Sequence, residues 1–283
     1  MPRNWASFII RRTDHRQVLS YADACGDIVE KLNVTERPIS SLLQLLTKIT
    51  SYMRLDQDKF MTEAEAAGGK SRHYGRFRDL SWPSIPEHPV APQKTTLYSV
   101  YLDIYEHFLK RKNDFLRDYP QEFALSYEGF KDVCTFFYNK DVGEETAEKI
   151  ALCKIKDGEL IYPDNSEALW SEINDRFDAA MDLTTSLEER KYAMADFYYL
   201  LSHACYLDRG NSTMARIALE YVAEQSGFDI PPCQDEVSLN FEALLSPHSH
   251  FRERFVKMEL FDQVTPPEKI LAWQREVTGV GRT

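Results

Sequence analysis

The chain has no apolar run approaching the ~20 residues that a bilayer-spanning helix requires, and Phe8-Ile9-Ile10 is too short for the core of a secretory signal. A soluble protein is therefore expected. No Cys-x-x-Cys pair occurs: Cys25, Cys134, Cys153, Cys205 and Cys233 are odd in number and widely spaced, which gives no sequence ground for zinc or redox chemistry and suggests reduced thiols in a cytoplasm. Positive charge is in short supply, with 34 Lys and Arg against 45 Asp and Glu, a net charge of −11 and a pI near 5.2. That balance disfavours nonspecific attraction to nucleic acid and to anionic membranes. Pro2 follows Met1, so the N-myristoylation signal is not matched and no lipid anchor is expected there.

What is present is enough apolar material for one large core or two modest ones: 283 residues, 43% hydrophobic and 12% aromatic. The preferred reading is one domain over 1–283, mainly α with a small β-hairpin, made of a helical N-terminal part (1–67), a basic, Pro-rich loop (68–96) and a helical core with the hairpin (97–283). Val18, Tyr21, Ala22, Cys25, Ile28, Val29 and Leu32 recur at helical spacing. A second helix, begun near Pro38, carries Leu42, Leu45, Leu46, Ile49 and Met53. Gly68-Gly69 then breaks the pattern and opens the loop, where Lys70, Arg72, His73, Arg76 and Arg78 alternate with Tyr74, Phe77 and Trp82. Such a loop either contacts phosphates, a base or an acidic partner, or is a surface loop pinned by its aromatics.

Further on, the spacing predicts helices over 95–117, 127–138 and 144–150. Asp157-Gly158 between 151–156 and 159–162 is a hairpin signal, because both residues tolerate positive φ. Three more helices are expected at 165–181, 186–203 and 212–226, the second opened by a capping-box-like Thr184-Thr185-Ser186 with Glu188-Glu189 and the third closed by Gly227 and Pro231-Pro232. His248 and His250 flank a turn with no plausible third ligand nearby, and read as surface residues rather than metal ligands.

The stretch from His203 to Arg216 concentrates the chemistry. Gly210 lets backbone approach a ligand, Asn211 and Ser212 can cap the helix that follows, and the amides up to Thr213 point out of its first turn. With Arg209 beside them, this is equipment for an anion such as a diphosphate. Arg216, further along the helix, either faces the same ligand or makes a structural pair. His203 is either a C-terminal cap, where a cation suits the helix dipole, or a general base whose ordinary pKa of ~6.5 lets it take a hydroxyl proton. Cys205 reads as a small buried hydrophobe, with nucleophilic use requiring an activating partner.

Phe197-Tyr198-Tyr199-Leu200-Leu201-Ser202, the Arg209-Gly210 turn, the helix of Ile217, Tyr221 and Val222, Gly227-Phe228-Asp229-Ile230-Pro231-Pro232 and Asn240-Phe241-Glu242-Ala243-Leu244-Leu245-Ser246 follow one another in an order and spacing that resembles the C-terminal half of the AvrB family of bacterial avirulence proteins, over roughly 192–258. The resemblance implies the Fido fold, a mostly helical core shared with Fic and Doc proteins. His203, Asp208, Gly210, Asn211 and Arg216 echo the Fic signature distantly, with a longer spacing between His203 and Gly210 and with Ser212-Thr213 where Fic enzymes carry Gly-Arg.

By that resemblance the activity is transfer of a deoxyhexose such as rhamnose from a UDP- or dTDP-linked nucleotide sugar to a Thr or Ser of a target protein, with no firm metal requirement. Arg209 matches the family's diphosphate-contacting arginine. Asn240 stands where the family has a functional aspartate, with Asp235 and Glu236 near in sequence. His203 or Asp208 would position the acceptor hydroxyl, while Gly210, Asn211, Ser212, Thr213, Arg216 and Asn240 would line the donor site. The hairpin becomes a candidate docking edge for the target segment, a plain structural hairpin being the alternative. The location is cytoplasmic, or a host cytosol for a delivered effector. Two other activities stay open: Fic-type nucleotidyl transfer, and non-catalytic binding of a nucleotide or peptide.

Overall fold

A computed structural model describes residues 15–34, 39–60, 74–75, 77, 137–140, 148–151, 154–156, 159–161, 166–204, 206–207, 210–234 and 237–262. These residues are mainly helical. Helix α1 spans His15–Asn33 and α2 spans Leu42–Leu55, followed by a 3-10 turn at Gln57–Lys59. Two antiparallel strand pairs follow, β1 (Phe137–Lys140) with β2 (Glu148–Ala151) and β3 (Lys154–Lys156) with β4 (Glu159–Ile161). Helices α3 (Ser166–Met181), α4 (Leu187–Ala204), α5 (Asn211–Gln225), α6 (Leu239–Leu245) and α7 (His248–Val256) complete the described chain. None of the described helices is long and apolar enough to cross a membrane.

The N-terminal periodicity produces the expected pair of helices. Ala22, Cys25, Ile28, Val29 and Leu32 of α1, and Leu42, Leu45, Leu46, Ile49 and Met53 of α2, are buried, and both helices pack on α5. The start of α2 is later than the expected Pro38, which lies outside the described residues. Ser41 is the N-cap, its hydroxyl accepting from the Gln44 amide at 3.3 Å.

Helix α4 opens on the expected capping box. The Glu189 amide donates to Ser186 Oγ at 3.2 Å and the Ser186 amide donates to Glu189 Oε2 at 2.8 Å. From Ala193 onward every residue of α4 is buried, because α3, α5, α6 and α7 all pack on it. Aromatic rings fill the space between these helices: Phe177 lies 5.9 Å from Phe197, Phe251 lies 5.5 Å from Tyr199, and Phe255 meets Phe261 edge-on at 5.3 Å. Helix α5 is buried from Thr213 to Ala223. It ends where the sequence places its stop, with Gly227 left-handed at φ +70°, the Phe228 amide bonded to the Ala223 carbonyl at 2.8 Å and the Gly227 amide to the Glu224 carbonyl at 3.1 Å.

The region before α3 differs from the sequence reading. Phe137 and Tyr138, expected to end a helix, and Glu148–Ile150, expected in another, are instead paired strands, with Phe137 opposite Ala151 and Lys140 opposite Glu148. Aromatic and β-branched residues concentrate here (Val133, Thr135, Phe136, Phe137, Tyr138, Ile150), and such side chains fit a pleated surface better than a helix. Around Asp157-Gly158, which lies outside the described residues, β3 and β4 pair with Lys156 opposite Glu159. The helix expected at 95–117 also lies outside them, as does most of the basic loop.

Several charges are buried with this core, and each has a partner. Glu242, with no exposed surface, receives Arg254 Nη1 at 2.7 Å, and Arg176 bonds to the equally buried Glu172 at 2.6 Å. Asp196 on α4 meets His248 Nε2 at 2.6 Å. His248 is therefore mostly buried and held by a carboxylate, which corrects its reading as a surface residue.

Arg254→Met leaves Glu242 inside the protein without this cation, and is expected to cost about 3 kcal/mol in urea unfolding, with Glu242→Gln restoring part of the loss. Burial also raises the pKa of the Cys25 thiol and of the Tyr21, Tyr198 and Tyr206 phenols. Above about pH 8.5 the same groups ionise first in the unfolded chain, so the native state binds more protons and stability falls as pH rises. A urea midpoint that stays flat from pH 8 to beyond pH 10 would place those groups in water.

Candidate functional site

The reversal between α4 and α5 gathers the residues that the sequence singles out. Its entry is anchored by Tyr206, buried against the edge of Trp170 on α3 with ring centroids 5.3 Å apart. The amide of Asn211 closes the turn on Leu207 from both sides: Oδ1 accepts from the Leu207 amide and Nδ2 donates to the Leu207 carbonyl, each at 2.7 Å. Asn211 thus fixes the loop and does not cap the helix, a correction to the sequence reading. An amide that supplies one acceptor and one donor suits a backbone residue offering the reverse pair.

Gly210 is the N-cap residue of α5, left-handed at φ +91°. A Cβ there would lie 2.8 Å from Met53 Cε and 3.1 Å from Tyr74 Cζ. The position thus requires glycine for its backbone angle and has no space for a side chain. The Gly210 carbonyl accepts from the Met214 amide at 2.9 Å and starts the helical ladder. The amides of Asn211, Ser212 and Thr213 precede that ladder, and no side chain among the described residues caps them. Partial positive charge gathers at such a helix start.

Thr213 serves the interior. It is buried, Tyr21 donates to its Oγ1 at 3.1 Å, and the Tyr74 hydroxyl lies 3.0 Å from the same atom. Ser212 is partly exposed. Arg216 is buried, and its Nη2 bonds to Glu220 Oε1 at 2.9 Å one turn along α5. Burial opposes its charge and Glu220 supports it, leaving its pKa above the ordinary value. Of the two roles open to Arg216, the structure shows the structural pair.

His203 has no exposed surface; its Nε2 is 3.0 Å from the Ala243 carbonyl, and its ring lies 4.6 Å from that of Tyr199. A general base has to reach the proton that it takes. In this conformation the imidazole instead ties the end of α4 to α6. Asn240 is partly exposed one turn ahead of Ala243 on α6, which packs on α4. Arg209 and Asp208, like Cys205, Asp235 and Glu236, lie outside the described residues. Metal-ligating clusters of His, Cys, Asp or Glu are absent among the described residues.

Sequence reasoning missed two features. The Tyr21–Thr213–Tyr74 cluster joins residues far apart in the chain, so no local pattern announces it. Phe77 forms an antiparallel bridge with Leu207, which brings that residue to the turn.

Gly210→Ala, forced into a left-handed backbone against Tyr74 and Met53, is expected to destabilise the protein by about 1–3 kcal/mol in thermal or urea unfolding; wild-type stability would contradict the strain assigned to this position. No protein-family model matches the chain, and no curated protein matches it in sequence.

Proposed function

We propose that the protein is a transferase that binds a nucleotide-diphosphate donor at the Arg209-Gly210-Asn211-Ser212 turn. In this reading it is a glycosyltransferase of AvrB-like, Fido-fold type that moves a deoxyhexose from a UDP- or dTDP-linked sugar to a Thr or Ser of a target protein. The observation that supports it most is the glycine N-cap of α5. Gly210 is left-handed, Asn211 is turned back on Leu207, and the first-turn amides have no side-chain cap among the described residues. Arg209 adjoins that glycine in sequence.

Fixed amides and a guanidinium around a leaving diphosphate would stabilise negative charge as the bond to the sugar breaks, without reorganising at that moment. The buried Arg216 takes a supporting part here, holding α5 through Glu220 rather than contacting the donor. His203 likewise positions the end of α4, which leaves the acceptor hydroxyl to Asp208 or to an acidic group near 235.

A second reading, non-catalytic binding of a nucleotide or peptide, draws on the enclosure of His203: a site whose best candidate base is engaged by a backbone carbonyl suits a binder.

Thermal shift against UDP-, dTDP- and GDP-sugars, ATP and ADP separates the readings, since a ligand that binds only the native state raises its stability. A rise with one nucleotide sugar that is lost in Arg209→Ala, together with a turnover at least ~100-fold lower in that variant, is the expected result. A rise with ATP alone would move the reaction to nucleotidyl transfer. Binding of a nucleotide sugar that stays intact with its acceptor would leave the binding reading.

A further inference from the structure

We draw no further inference here: the strongest candidate, the surface around the start of α4 where Leu183, Leu187 and Tyr192 stay exposed, carries no proposal, because nothing in the structure shows what covers it.

Discussion

From Ala193 onward helix α4 has no face left for water, and this constraint organises the rest of the structure. Every residue from Ala193 to Ala204 is buried, so each polar group on that length has to find its partner inside the protein. Asp196 finds His248 at the start of α7, the Tyr199 hydroxyl donates to the Ser246 carbonyl between α6 and α7, and His203 reaches the Ala243 carbonyl of α6. These pairs fix the angle at which the C-terminal helices sit on α4. Apolar packing supplies most of the driving force but would tolerate several arrangements; directional bonds to buried groups select among them.

The turn inherits its geometry from this packing. Helix α4 ends against α6 through His203, α5 is held between α1 and α2 on one side and α4 on the other, and the chain between them must reverse in the space that remains. Gly210 meets that requirement by taking a left-handed angle under the ring of Tyr74, and Asn211 by bonding both backbone groups of Leu207. That no side chain among the described residues caps the first-turn amides of α5 follows from the same facts. The residue at the N-cap is glycine, and the nearest amide side chain is committed elsewhere.

Charge is divided between interior and surface in an instructive way. In an acidic protein, Arg176 and Arg254 are spent on the buried carboxylates Glu172 and Glu242, and Arg216 on Glu220. In the proposed reading the cation at the turn is Arg209, which the sequence sets beside Gly210. The bridge from Phe77 to Leu207 brings that aromatic residue to the same turn, which composition alone could not show.

Much of the helical fold was legible in the sequence, because its signals are local. The apolar spacing of α1 and α2, the Ser186–Glu189 box at the start of α4 and Gly227 at the end of α5 act over a few residues, and each does in the structure what its chemistry requires. The strands at Phe137–Lys140 and Glu148–Ala151 were misread as helix, since short apolar runs carry little period and the pairing partner decides. The candidate turn was legible as a glycine before a helix, but not its construction. That Asn211 grips Leu207, that Arg216 turns to Glu220, that His203 is enclosed and that Thr213 is shared by Tyr21 and Tyr74 depend on which surfaces meet. Sequence determines the conformations that a segment prefers by itself. Only tertiary packing decides which of its polar groups keep their water and which must exchange it for a partner brought from a distant part of the chain.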